Sequence, residues 1–336
     1  MKMPLKIFSL SAAAVMFAFG STAKAQTLFN DSFNTDTSGN WTINKSTGAN
    51  ANDAGQIAEF GYNYATYGVP SAPRTTDGSR TGLRLRPNVT GGIFSGFSVS
   101  PTAQNFGPAY KLSFDLWTNY IGGTGGLGTG GSGSTEAATA GVGTAGTSAQ
   151  WAGSPTYDSV FFGNVIDGGT AGTDYRAYPR ANNAAPATGA YAAGTTTGTG
   201  GAADNTNPYY SFLTSKTAPA EQVALSSTTQ SGNSAVGTTS FAWHRVDILN
   251  YGGFVEWDID GVRISTVNVT AQGLGGNNIL LGMFDTTAGS PVGTTAQELN
   301  FALFDNVSVV AVPEPGSIAA LSALVGGLML RRRRSV

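Results

Sequence analysis

The stretch Gly253-Phe254-Val255-Glu256-Trp257-Asp258-Ile259-Asp260-Gly261-Val262-Arg263-Ile264-Ser265-Thr266-Val267-Asn268-Val269 alternates apolar and polar residues on both sides of an Asp-Gly pair. A period of two belongs to a strand with one buried face. Asp-Gly between two such runs suits a two-residue hairpin, because a type I′ turn needs positive φ at both central positions. Before the turn Val255, Trp257 and Ile259 share a face; after it Val262, Ile264 and Thr266 do. The segment predicts two antiparallel strands with one face in a core.

Working outward, the same pattern recurs. In Lys111-Leu112-Ser113-Phe114-Asp115-Leu116-Trp117, Leu112, Phe114 and Leu116 face one way while Lys111, Ser113 and Asp115 face the other. Gly92 to Val99 and Ser159 to Val165 are more apolar and predict more deeply buried strands, and Phe241 to Asn250, Ile279 to Phe284 and Leu299 to Val310 complete the set. Two stretches interrupt it, Gly122 to Gln150 and about Ala181 to Asn207, rich in Gly, Thr, Ala and Ser with almost no charge. Such composition buries little apolar surface, so both are expected to be surface loops or disordered insertions.

Charged residues are 11% of the 336 and glycines number 47, a balance that favours strands and turns over amphipathic helices. Seven of the 18 basic residues lie near the two ends, which leaves 11 against 19 acidic residues between them, a body of about −8. Nucleic acid is therefore excluded as a partner, since phosphate binding needs clustered Lys and Arg. With no cysteine there is neither disulfide nor thiolate chemistry.

The ends carry sorting information. Lys2 and Lys6 precede an apolar stretch from Ile7 to Phe19, and Ala23-Lys24-Ala25 places small residues where a signal peptidase cuts. About 13 apolar residues are too few to span a bilayer, so residues 1–25 read as a cleaved signal helix. At the other end Val312-Pro313-Glu314-Pro315-Gly316 leads into an apolar run, Ser317 to Leu330, and then Arg331, Arg332, Arg333 and Arg334. A basic cluster after an apolar helix holds its C-terminus in the cytoplasm and leaves the body outside. The run is about 14 residues, roughly 21 Å as a helix, short of the ~30 Å hydrocarbon core unless arginines snorkel and the bilayer thins.

Residues 312–336 resemble the PEP-CTERM sorting signal of Gram-negative bacteria that make exopolysaccharide. The resemblance implies that Pro313, Glu314, Pro315 and the four arginines are recognition residues. They would be read by a membrane-embedded exosortase that carries its own cysteine nucleophile. It also implies transient anchoring in the inner membrane through the C-terminal helix and display on the cell envelope, the outer surface or the extracellular matrix.

For the body, Asn30-Asp31-Ser32-Phe33, Ala242-Trp243-His244-Arg245-Val246, Glu256 to Gly261 and Phe304-Asp305-Asn306-Val307-Ser308-Val309 resemble concanavalin A-like and laminin G-like jelly rolls. The expected fold is all-β, an antiparallel two-sheet β-sandwich over residues 26–311, flanked by the signal helix and the C-terminal hydrophobic helix. In several carbohydrate-binding jelly rolls an aspartate of the closing strand ligates a structural calcium with groups near the first strand. That resemblance makes Asp31 and Asp305 the candidate calcium ligands, and calcium the one cofactor expected; the ion wants six to eight oxygens.

No complete catalytic set is legible. His244 is the single histidine, which leaves a serine triad or a histidine-rich zinc site to be built around one residue. Glu256, Asp258 and Asp260 alternate, which places them on one strand face about 6.5–7 Å apart and invites comparison with paired glycosidase carboxylates. The catalytic strand of laminarinase-like glucanases reads Glu-x-Asp-x-x-Glu, and Gly261 stands here in place of the second glutamate. A catalytic pair would need a distant carboxylate such as Glu59, Glu221 or Glu298. Phe60, Tyr62, Tyr64, Tyr67, Trp117, Trp151, Tyr209 and Tyr210 are either core or sugar-stacking rings. The sequence thus predicts a non-enzymatic exported protein that binds extracellular polysaccharide, with a secreted glycoside hydrolase as the alternative.

Overall fold

The computed structural model describes residues 25–46, 55–87, 89, 95–119, 136–165, 174–180, 187–193, 202–225, 233–285 and 298–312. Except for Ala25 and Val312, the leader and the sorting tail lie outside these residues. So do Pro313, Glu314, Pro315 and Arg331 to Arg334. Among the described residues no helix is long and apolar enough to cross a membrane.

Within the described residues fourteen strands run in the order β1 (Thr27–Asp31), β2 (Trp41–Lys45), β3 (Ile57–Asn63), β4 (Thr81–Arg86), β5 (Ser95–Pro101), β6 (Tyr110–Thr118), β7 (Glu136–Thr144), β8 (Val160–Val165), β9 (Tyr175–Tyr178), β10 (Trp243–Tyr251), β11 (Phe254–Ile259), β12 (Val262–Asn268), β13 (Asn278–Asp285) and β14 (Ala302–Ala311), with one short helix, α1 (Ala220–Leu225). A larger sheet has the order β12-β11-β10-β6-β14-β4-β3, with β1 also paired to β14; a smaller one has the order β2-β5-β13-β7-β8-β9. Every pairing between these strands is antiparallel. The fold is the expected two-sheet sandwich.

The Asp-Gly hairpin forms as its residues dictate. Asp260 has φ +50° and Gly261 φ +79°, and Ile259 pairs with Val262 across the turn. Burial alternates along the whole of β10, with His244, Val246, Ile248 and Asn250 inside. Leu112, Phe114 and Leu116 of β6 also point into the core, and Trp257 of β11 stacks on Phe162 of β8 at 5.0 Å between ring centres. A void between Phe114, Phe162, Trp257 and Phe304 holds only about 10 Å³, room for no more than about one water. The interior is packed.

One expectation needs correction. Within the Gly-rich stretch from Gly122 to Gln150, Glu136–Thr144 is not loop but a strand buried at every residue, inside the smaller sheet between β13 and β8, while residues 145–150 are loop as expected. Its small side chains leave room for large ones on its neighbours: Gly141 lies between Leu280 and Phe161 in the cross-strand row. The second stretch, over its described residues, is loop that docks on the sheets through isolated bridges. The Ala190 carbonyl accepts from Thr266 N–H and the Ile264 carbonyl accepts from Ala192 N–H, which covers the β12 edge, while Ala203 bridges to Tyr175. Covering an exposed edge removes a template for aggregation.

A second apolar layer lies on the outer face of the smaller sheet. Ala137, Phe161, Tyr178, Leu280 and Phe284 are covered there by Trp151, Ala152 and Tyr157 of the β7–β8 connection.

Candidate functional site

Outward-facing positions of the larger sheet carry most of the residues that the sequence singled out. On β11, Glu256 and Asp258 flank Trp257, whose ring points inward, and both carboxylates are taken by one cation. Arg263 of β12 sets Nη2 2.7 Å from Glu256 Oε2 and donates from Nε to Asp258. Next along the sheet, Asp247 of β10 pairs directly with Asp258 and bonds Arg245 at 2.9 Å, with Ser113 Oγ donating to it and Lys111 Nζ 3.5 Å away. Burial would raise the Asp247 pKa, but the Arg245 and Ser113 hydrogen bonds and nearby cations hold it below the usual value.

Asp260 does not continue this row. It occupies the turn, and its carboxylate folds back onto β10: Oδ2 lies 2.7 Å from His244 Nδ1 and Oδ1 accepts from Arg245 N–H at 2.8 Å. Burial opposes ionisation there too, yet the His244 and Arg245 contacts keep the carboxyl below its ordinary range. The expectation of three aligned carboxylates is therefore corrected to two, because positive φ at Asp260 ends the strand's alternation. His244 is buried and clamps the hairpin.

At the centre of the sheet Asp305 of β14 stands directly opposite Asp115 of β6, at a β-bulge where Asn306 has φ +50°. Each is about 1% exposed. Arg74, from the connection between β3 and β4, donates from Nε to Asp115 Oδ1 at 2.9 Å and from Nη2 to the Asn306 carbonyl at 3.2 Å. Asn306 Nδ2 completes Asp115 at 2.9 Å. Among the described residues Asp305 has no cation of its own; Tyr64 O–H donates to Oδ2 at 3.1 Å and Asn306 N–H to Oδ1 at 2.6 Å. Burial, helped by the Asp115 charge, pushes the Asp305 carboxyl up to about 7, against the pull of the Asn306 and Tyr64 hydrogen bonds. Trp117, Trp243 and Tyr64 pack beside the pair, and Trp243 Nε1 donates to the Pro70 carbonyl at 2.7 Å.

Asp31 lies on β1, opposite Val307 of β14. Its Oδ1 accepts from Phe33 N–H and its Oδ2 from Trp41 Nε1, both at 2.8 Å. All four oxygens of Asp31 and Asp305 thus accept from protein donors. Among the described residues no three His, Cys, Asp or Glu side chains gather as metal ligands do. Calcium would have to use the remaining lone pairs of the Asp31 and Asp305 carboxylates and find several further oxygens.

Of the distant carboxylates, Glu59 and Glu298 come together on Arg84 and Arg86 of β4: Arg84 binds Glu59 through Nε at 2.6 Å and Nη2 at 2.8 Å, and Glu298 bridges both arginines at 3.0 and 2.7 Å. The Arg84 guanidinium lies 3.6 Å from the centre of the Tyr62 ring, and Tyr67 O–H donates to Glu298. Glu221 sits on α1 against Gly68. From β11 to β4 is four strand spacings, about 19 Å along the sheet. That is wider than the ~5–9.5 Å between glycosidase carboxylates. Asp115 is legible in sequence as a polar position of an alternating strand, but Arg74 carries no such signal.

Tyr64, Tyr67, Trp117, Trp151 and Tyr210 are buried, Phe60 and Tyr62 partly so, and Tyr209 is exposed.

No family model matches the chain, and no curated protein does. Among solved structures it is similar to a Bacillus subtilis protein of unknown function with a galectin-like fold, at 10% identity and TM-score 0.42, covering 87% of this chain and 99% of that one. It is also similar to a Bacillus licheniformis β-glucanase, at 11% identity and TM-score 0.42, covering 85% and 98%. A third is the carbohydrate recognition domain of Emp46p in its potassium-bound form, at 7% identity and TM-score 0.38, covering 82% and 91%.

Proposed function

We propose that this chain is a non-enzymatic protein of the bacterial envelope or matrix that binds extracellular polysaccharide and is sorted by its C-terminal tail. The observation that carries the non-enzymatic part is the sharing of Arg263 by Glu256 and Asp258. A carboxylate already engaged by a guanidinium is not placed to reach the leaving oxygen of a glycosidic bond. A direct test incubates the full chain with β-glucan, galactan and galacturonan and measures bound protein and released reducing sugar. Retention without release is expected; release that Glu256→Gln abolishes would overturn the reading.

A secreted glycoside hydrolase is the second reading, and the Asp115–Asp305 pair favours it. The Asp305 carboxyl is held toward protonation while its neighbour Asp115 is paired with Arg74, two unlike environments for two adjacent carboxyls, as an acid and a base need. Their burial beneath Arg74 and Thr75 weighs against it. Release abolished by Asp305→Asn and untouched by Glu256→Gln would select this pair.

The sorting part rests on the PEP-CTERM resemblance and has its own test. Expressed in its native host without Arg331 to Arg334, the protein is expected to leave the envelope fraction that the full chain occupies. An unchanged distribution after cell fractionation would remove the tail as a sorting signal.

A further inference from the structure

Away from the charged sheet, the β7–β8 connection crosses the outer face of the smaller sheet as a fixed wall. Gln150 ties it down: its Oε1 accepts from Asp158 N–H, Ser159 N–H and Ser159 Oγ at 2.7–3.2 Å, and its own N–H donates to Ser98 Oγ at 3.1 Å. Trp151 seats over Gly96, where a Cβ would come within 2.7 Å of the tryptophan. Between this wall and the end of edge strand β2 lies a cleft of about 300 Å³. The void between the sheets is about 10 Å³, so the cleft is not loose packing. Its size sits at the lower end of small-molecule sites.

The lining has a definite chemistry. Thr147 and Thr156 are exposed on its lining, Ser46 and Ser148 line it with hydroxyls that already bond Gln56, Gln150 and the Thr156 carbonyl, Trp151 lies along one wall and Lys45 adds an ammonium; among the described residues no carboxylate lines it. Hydroxyls both donate and accept, which suits a ligand whose own groups do both. A cationic or wholly apolar ligand finds no complement here. A pyranose ring does, with hydroxyls at its rim and C–H groups on its faces.

We propose that this cleft is a sugar-binding site for one or two pyranose units of a polysaccharide, neutral or uronic, with Lys45 meeting the carboxylate in the uronic case. The proposal rests on the polysaccharide-binding reading above and locates it on the smaller sheet, away from Glu256 and Asp305. A wall fixed before binding keeps the ordering cost low.

The test measures binding of the full chain to neutral (β-glucan, galactan) and uronic (galacturonan) oligosaccharides, beside Thr147→Trp and Thr156→Trp. Both substitutions fill the cleft from exposed positions. A loss of tenfold or more in affinity at an unchanged thermal midpoint is the expected result, and either variant suffices if the other fails to fold. Lys45→Ala then separates the sources, weakening galacturonan tenfold and the neutral glycans little. If both folded variants bind as the unsubstituted chain does, the cleft is overturned while the polysaccharide reading stands. If the unsubstituted chain retains no glycan, both fall.

Discussion

Replacing Gly141 with alanine is expected to lower stability by about 3 kcal/mol or more, and valine by more still. A Cβ at this position would lie 2.3 Å from the Val160 carbonyl oxygen and 2.6 Å from Phe161 Cβ, and backbone cannot swing aside as a flexible side chain can. Overpacking of this kind costs about 1–3 kcal/mol where neighbours can shift, and more where they cannot. β7 is hydrogen-bonded on both sides, to β13 and β8, so relief on one side strains the other. In thermal unfolding the alanine variant is expected to melt roughly 6 °C or more below the unsubstituted protein.

The sign of that result discriminates between two readings of one segment. In a surface loop, Gly→Ala at a compatible φ stabilises by about 0.4–1 kcal/mol, because the unfolded chain loses freedom. Gly39→Ala is the matched control, since among the described residues no atom lies within 4 Å of the place its Cβ would take and its φ is not positive. It is expected to be neutral or slightly stabilising. A Gly141→Ala variant that behaved like Gly39→Ala would return residues 136–144 to the loop class.

β7 was illegible in sequence for a physical reason. Hydrophobic periodicity weighs side chains by their apolar bulk, and Glu136-Ala-Ala-Thr-Ala-Gly-Val-Gly-Thr144 has almost none. The bulk that buries this strand belongs to its partners: Phe161 and Phe162 on one side, Leu280, Leu281 and Met283 on the other. By contrast β6, β10 and β11 carry their own large residues at alternate positions; on β12 a register shift opposite Trp257–Asp258 breaks the expected Val262, Ile264, Thr266 face and buries Ile264, Ser265 and Val267 instead. β6, β10 and β11 could be read directly, and β12 only as a strand.

The charged face divides in the same way. Asp115, Glu256 and Asp258 are visible as polar positions of alternating strands, so their facing follows from sequence. Their partners do not: Arg74 reaches Asp115 across 41 residues, and Arg84 reaches Glu298 across 214. Whether a carboxylate is a working acid or a neutralised ion-pair member depends on these long-range partners. Sequence spacing says nothing about them.

Asp305 yields the second large effect, a stability that falls as pH rises through the weakly acidic range. Its folded carboxyl titrates at about 7, against an ordinary value of 3.8. Between those pH values the folded state holds a proton that the unfolded state has released, so folding weakens with each unit of pH and levels off above about 7. A shift of this size corresponds to a loss of about 4 kcal/mol across the interval, as an order of magnitude. Asp247, Asp260 and Glu298 have the opposite sign. Their folded values lie below the ordinary ones, so the stability they add is lost as pH falls below about 4. The thermal midpoint is therefore expected to peak near pH 4–5 and to decline toward pH 7.5.

Asp305→Asn isolates the cause. Asparagine can accept from Asn306 N–H through its Oδ1 and donate to the Tyr64 hydroxyl through its Nδ2, but it cannot ionise opposite Asp115, so the decline between pH 5 and 7.5 should flatten while the acid limb stays. If the variant and the unsubstituted protein decline in parallel, Asp305 is already ionised in the folded state. Arg74 would then be neutralising both members of the pair, and the acid–base division that favours the hydrolase reading would disappear with the pH effect.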